Sequence, residues 1–232
     1  KTVFATGDDE LRPVMNGIFM ELKPDMLTFV ASDSHKLIRM QRSDIQHEQE
    51  SSLILPSKAA NLLKNLLAKM DDKVQIEFDK QHLYVHMASY KMASRLIEGK
   101  FPNYHSVIPN ESPYKMIVDR LELLNSLKRV SVYSNQASNL VKLKLESNQL
   151  TVSAQDIDFA ISAYEKLNVQ YDGEEMEIGL KSTFLIEILT AMPSADVEVN
   201  LSDPSRAAIF LPQDADEEQE DLLMLLMPMM LG

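Results

Sequence analysis

The chain matches itself at a shift of about 123 to 124 residues, a period that belongs to duplicated domains and not to a stacked solenoid. Asp25-Met26-Leu27-Thr28-Phe29-Val30-Ala31 aligns with Asn148-Gln149-Leu150-Thr151-Val152-Ser153-Ala154. Leu53-Ile54-Leu55-Pro56-Ser57-Lys58 and its leucine-rich sequel align with Glu177-Ile178-Gly179-Leu180-Lys181-Ser182 and Phe184 to Leu189. Val74 to Phe78 aligns with Val197 to Leu201. Blocks that recur in the same order indicate a duplication, so the two halves must fold alike. With 232 residues and 45% hydrophobic content, each half can bury its own core.

Residue periodicity predicts the same elements in both copies: a helix, strands, a second helix and more strands. In the first copy, Ile18 to Leu22 and Leu27 to Ala31 alternate around the turn Lys23-Pro24-Asp25, which predicts a hairpin. Ala59, Leu62, Leu63, Leu66, Leu67 and Met70 fall at helical spacing over Ser57 to Met70, with Ser57 as the expected cap. Val74 to Phe78, Leu83 to Met87 and Met92 to Ile97 return to period-two alternation. Lys1 starts the chain almost at once on a helical pattern, which Pro13 should shorten or kink, and an upstream portion is expected. In the second copy, helices are expected at Asp119 to Val132 and Ser182 to Met192. Its strands are expected at Leu140 to Leu145, Leu150 to Ala154, Phe159 to Tyr164, Glu175 to Gly179, Val197 to Leu201 and Ala207 to Leu211. The segment Phe101 to Pro113, rich in Pro and Asn, joins two α+β domains with helices packed on antiparallel sheets.

Composition narrows the chemistry. There is no cysteine, hence no disulfide framework, thiolate nucleophile or cysteine metal site, which suits a reducing compartment. Six glycines supply neither a phosphate-cradling loop nor a Gly-x-Ser-x-Gly elbow. His82 and His86 share one strand face opposite Leu83, Val85 and Met87, without a third ligand nearby in sequence, so solvent is expected around them instead of a metal. The residues point away from catalysis, metal and cofactor. No signal peptide or membrane span is visible.

A net charge of -12 disfavours adhesion of the whole surface to nucleic acid, so any basic face must be local. On Ser57 to Met70 the side opposite the leucines carries Lys58, Asn61, Asn65 and Lys69 without an acid, and on Asp119 to Val132 the polar side carries Asn125, Lys128 and Arg129. Each stripe reads either as a solvated face or as weak phosphate contact without base reading. The chain then closes on Leu222-Leu223-Met224-Leu225-Leu226-Met227-Pro228-Met229-Met230-Leu231, directly after the acidic run Asp214 to Asp221. An edge strand would explain Leu222 to Leu226. Met227 to Leu231 would still need a docking place or a partner.

Several blocks resemble the beta sliding clamp of bacterial DNA polymerase III. Ala31-Ser32-Asp33-Ser34-His35-Lys36-Leu37 resembles that family's Ala-Thr-Asp-Gly-His-Arg-Leu block. Phe101-Pro102-Asn103-Tyr104 through Val107-Ile108-Pro109 resembles its interdomain Phe-Pro-Asp-Tyr segment, Glu175 to Gly179 also matches, and Met227-Pro228-Met229-Met230-Leu231 is close to its Met-Pro-Met-Arg-Leu ending. The resemblance implies two similar DNA-clamp domains, residues 1–104 as the second of three and residues 105–232 as the third. It implies a cytoplasmic, non-catalytic processivity factor, a ring of two chains around duplex DNA that grips without sequence specificity. Each ring contact would join the first domain of one chain to the third of the other, so this chain alone is expected to be monomeric.

The same resemblance implies a pocket between the two domains for short linear motifs of the replicative polymerase, the clamp loader, repair polymerases and ligase. Met15, Ser32, Ser34, His35, Lys36 and Leu37 would form one wall. Pro102 and Val107 would come from the junction, Phe184 from the second helix of the third domain, and Leu225, Leu226, Met227, Pro228 and Met229 from the tail. Lys58, Lys69, Lys128 and Arg129 would face DNA. Ser34 for Gly, Lys36 for Arg and Met230 for Arg depart from the family pattern. Flexible methionines suit a site that must accept several peptides. Two other readings stay open: an enzyme in which His35 acts as base with Asp33 as its orienter, and a peptide-binding scaffold that does not encircle DNA.

Overall fold

The computed structural model describes residues 1–45, 48–70, 73–213 and 219–231. Two compact units emerge, Lys1–Asn103 with Gln219–Asp221, and Tyr104–Glu218 with Leu222–Gly232.

The first unit contains β1 (Gly17–Lys23), β2 (Met26–Ser32), β3 (Lys36–Arg42), β4 (Ser51–Pro56), α1 (Ser57–Leu67), β5 (Gln75–Phe78), β6 (His82–His86) and β7 (Lys91–Arg95). The strands pair antiparallel in the orders β4-β1-β2-β3 and β5-β6-β7. Alternation places Ile18, Met20 and Leu22 of β1 on the inner face. There they meet Leu53 and Leu55 of β4, Ala59, Ala60 and Leu63 of α1, and Leu83 and Val85 of β6. Burying each large aliphatic side chain contributes about 1.5 to 3 kcal/mol.

The second unit repeats this plan with two elements in front: β8 (Tyr114–Asp119) and α2 (Arg120–Val130). Then come β9 (Leu140–Glu146), β10 (Gln149–Asp156), β11 (Ile161–Asn168), β12 (Met176–Lys181), α3 (Ser182–Ala191), β13 (Asp196–Leu201), β14 (Ala208–Pro212) and β15 (Glu220–Leu226). Here the sheet orders are β11-β10-β9-β12 and β15-β14-β13-β8. α2 and α3 pack together, and α2 also lies on β10 and β11. Asp119 caps α2 by accepting the Glu122 N–H at 2.7 Å.

The α+β class with helices on antiparallel sheets is as expected, but several local expectations need correction. The opening helix of the first copy is absent: Val3–Ala5 and Pro13–Met15 are short 3₁₀ turns, and Pro13 opens the second of them. Ser57 does not cap α1. It is the first helical residue after Pro56, which has no side-chain acceptor. Leu62 faces solvent and Ala60 takes a buried position, because the buried face is rotated from the one the leucines suggested. β11 starts at Ile161, after a turn in which Ala160 adopts φ 53°, so Phe159 lies outside the strand. Strands β3 and β8 were not expected; β3 carries four polar residues among seven, so alternation alone does not reveal it. Residues 214–218 of the acidic run and Gly232 of the tail lie outside the described residues.

Candidate functional site

In the first unit the β2–β3 connection is a closed hydrogen-bonded turn. Asp33 Oδ1 accepts the backbone N–H groups of His35 and Lys36, both at 2.9 Å, while Oδ2 takes the Lys36 ammonium at 2.8 Å. Ser32 Oγ donates to the Lys36 carbonyl at 2.9 Å and accepts the Ser34 N–H at 3.2 Å. Burial works to raise the Asp33 carboxyl pKa, but the Lys36 ammonium and the two backbone donors outweigh it and hold the group below the ordinary carboxylate range. Both Asp33 oxygens are thereby committed, which argues against Asp33 as the orienter of a catalytic His35. Ser34 sits at φ 79°, in the left-handed region, and its hydroxyl meets the Arg12 guanidinium. Met15, Ser32, Lys36 and Leu37 are buried, whereas Ser34 and His35 are exposed.

In the second unit the tail follows β15. Leu225 and Leu226 are strand residues opposite Ile209 and Ala208, and both are buried. Beyond them the chain bridges to the edge strand β12, where the Met229 N–H donates to the Gly179 carbonyl at 2.8 Å. A Cβ on residue 179 would stand 2.7 Å from the Met229 carbonyl oxygen and 2.8 Å from Leu231 Cδ2. Only glycine lets the tail lie this close. The backbone is fixed while the side chains are not: Met227 is 37% and Met230 88% exposed, and Pro228, Met229 and Leu231 are half-buried. Past Leu231 an open groove of about 270 Å³ continues over β9, β10 and β11, lined by Leu140, Lys142, Ser153, Gln155, Ser162 and Tyr164 among others. Phe184, on the first turn of α3, is half-buried under the Lys181 ammonium, 4.5 Å from its ring centroid.

At the junction, Phe101 is buried against Phe19 with ring centroids 5.0 Å apart, and Pro102 is exposed. Val107, assigned to the second unit, is exposed too. The first unit has its own groove of about 450 Å³ along β4 and Leu96–Phe101.

Of the expected DNA-facing cations, Lys58, Lys69 and Lys128 are exposed. Arg129 instead forms a fork with Glu165 of β11, two bonds of 2.7 Å each, which raises its pKa and occupies the guanidinium. The exposed side of α2 also carries Glu122, so it is not free of acid, while α1 adds the exposed cation Lys64. Among the described residues no group of three or more His, Asp or Glu side chains is placed to hold a metal ion, and no helix is long and apolar enough to cross a membrane.

Comparison with known proteins decides the family. Residues 1–103 match the family model of the DNA polymerase III beta subunit, central domain, and residues 105–230 match that of its C-terminal domain. The chain belongs to the beta sliding clamp family. The beta sliding clamp of Haemophilus influenzae is 32% identical over 203 residues, covering 87% of this chain and 55% of that protein. The clamp of Escherichia coli is 28% identical, covering 99% of this chain and 62% of its own. The chain thus spans well under two thirds of the length of these clamps. Among solved structures, a Pseudomonas aeruginosa sliding clamp bound to griselimycin superposes with a TM-score of 0.93 at 28% identity, covering 99% of this chain and 61% of that one. The Thermotoga maritima beta subunit gives 0.91 at 28% identity, with 100% and 62% covered.

Three residues that the sequence pattern did not single out help to build these regions. Gly179 seats the tail, Arg12 reaches Ser34, and Lys64 extends the basic side of α1. Only Gly179 carried a signal, since it lies in one of the blocks that resemble the clamp family.

Proposed function

We propose that the chain supplies the second and third domains, residues 1–104 and 105–232, of a DNA-replication processivity factor. In the full-length protein two chains would close a ring around duplex DNA, in the cytoplasm, without catalysis or a cofactor. The replicative polymerase, clamp loader, repair polymerases and ligase would then be tethered by linear peptide motifs. The observation that carries the peptide reading is the tail: its backbone is locked to Gly179 while apolar side chains remain open to solvent. Such a surface is pre-organised yet unfilled, the condition under which a short apolar peptide gains most from burial. The proposal gives the second unit's wall to Phe184, Leu225, Leu226, Met227, Pro228 and Met229, and the opposing wall to Met15, Ser32, Ser34, His35, Lys36 and Leu37, with Pro102 and Val107 from the junction. Because Leu225 and Leu226 are buried in the sheet, they would act as floor, with Met227 and Met229 as contacts.

The ring reading draws support from apolar side chains left bare near β11. Ile157 is 81% and Phe159 75% exposed, with Val132, Tyr133 and Tyr164 also exposed. A patch of this kind marks an interaction surface.

Calorimetric titration with a peptide carrying a leading glutamine and apolar residues near its end tests the tail. Micromolar binding is expected, weakened at least about tenfold when residues 227–232 are deleted, because one lost apolar contact forfeits about 1.5 kcal/mol or more. Deletion of residues 214–218 is the control and should leave affinity unchanged. Equal affinities for intact and tail-truncated chains would show that the peptide site lies elsewhere.

A further inference from the structure

The chain has 14 methionines, and folding sorts them sharply by exposure. All but two are buried or half-buried, with Met116 at 1% and Met224 at 0%. The two exposed ones, Met227 at 37% and Met230 at 88%, both lie on the tail beyond β15, with half-buried Met229 between them. Met15, which the proposed function places on the opposite wall, is buried, and its sulfur accepts the Ser34 hydroxyl at 3.8 Å. Cysteine is absent, so thioether sulfur is the group in this chain that a mild oxidant converts reversibly. Susceptibility to oxidation follows access to the sulfur, and access is concentrated on one short segment.

We propose that the tail is a site of reversible methionine oxidation, Met230 first and Met227 next, and that the sulfoxides formed there release bound peptide. The oxidant is hydrogen peroxide. Its O–O bond breaks as one oxygen bonds to sulfur, the sulfur gives up two electrons, and the other oxygen leaves as water with both protons. Reversal takes a dithiol: the sulfoxide oxygen departs as water and the two thiols become a disulfide. A sulfoxide turns a flexible apolar side chain into a polar one, so a peptide side chain pressed against it would strand the S=O group away from water. The backbone is not altered: the Met229 N–H keeps the Gly179 carbonyl, and Leu225 and Leu226 keep their places in the sheet. Oxidation would thus change the chemistry of the surface without unseating the tail. The regulatory half of the inference rests on the peptide reading of the tail, whereas the order of oxidation rests on exposure alone.

Limited treatment of the 232-residue chain with hydrogen peroxide provides the test, with the oxidised positions mapped by peptide mass spectrometry. Met230 and Met227 are expected to be oxidised first, and Met116 and Met224 last. Calorimetric titration with the same glutamine-led apolar peptide should then show affinity lower by about tenfold or more, restored by methionine sulfoxide reductases of both stereospecificities with a dithiol. The readout is the ratio of affinities before and after peroxide, so a variant need not match the parent. In the chain carrying Met227→Leu, Met229→Leu and Met230→Leu together that ratio should be close to one. Hydrogen exchange at the Met229 amide should not change on oxidation. Oxidation that reaches the buried methionines as fast as the tail would overturn the site. Unchanged affinity after full oxidation of Met227 and Met230, or lost protection at the Met229 amide, would overturn the mechanism. A chain that fails to bind the peptide before any peroxide is added would sink the peptide reading and the regulation with it, while the mass map still decides the site.

Discussion

At the level of single residues, two positions show opposite backbone demands. Ser34 takes a left-handed φ of 79° where the clamp family's block has glycine. That conformation costs a residue with a Cβ about 1 to 2 kcal/mol, while glycine adds about 0.4 to 1 kcal/mol of unfolded-chain entropy. The strain term is the larger, and the exposed contact to Arg12 contributes little. Ser34→Gly is therefore expected to leave the melting temperature unchanged or slightly higher; a fall of several degrees would show that the serine contacts dominate. Gly179→Ala has no such freedom, because its Cβ would press on the backbone carbonyl of Met229, which cannot rotate away. The expected result is loss of protection at the Met229 amide by hydrogen exchange, peptide binding as weak as in the truncated chain, and a melting temperature close to the parent's. Retained protection would mean that β12 yields instead of the tail.

Among the elements, α1 and α2 look alike in sequence but differ in what they offer a phosphate backbone. The exposed lysines of α1 have no acid on their own helix, whereas Arg129 of α2 is held by Glu165 and shares its face with Glu122. Replacing Lys58 and Lys69 by alanine should consequently remove more duplex binding than replacing Lys128 and Arg129. Each neutralised phosphate contact should lower the slope of log K against log salt by roughly 0.9. Fluorescence anisotropy with a labelled duplex at two salt concentrations would measure this. A larger loss from the α2 pair would show that the Glu165 fork opens on DNA.

For the whole molecule, a net charge of -12 opposes DNA adhesion, so a clamp of this charge would have to hold DNA by topology. A ring contact of the proposed kind would join unlike surfaces, of which residues 1–232 would supply one. Sedimentation is expected to show a monomer at micromolar concentration. A two-chain species that survives dilution would mean that the bare residues near β11 have found another mate.

Much of this was legible in the sequence because the duplication displays every pattern twice. The hairpin of β1 and β2, the leucine-bearing α1 and the alternating β9 and β10 all follow from local periodicity, which registers which face of a strand or helix is apolar. The glycine-and-tail relation was not legible, since Gly179 and Met229 are distant in sequence and their closeness depends on where β12 and the end of β15 are carried. The fork between Arg129 and Glu165 was hidden for the same reason: composition counts charges, but only the packing of α2 on β11 pairs them. Sequence alone thus determined the repeat, the α+β class and the family. Tertiary structure decided which apolar residues are bare and which cations are exposed to meet a phosphate, because exposure and pairing are properties of the neighbours that folding brings together.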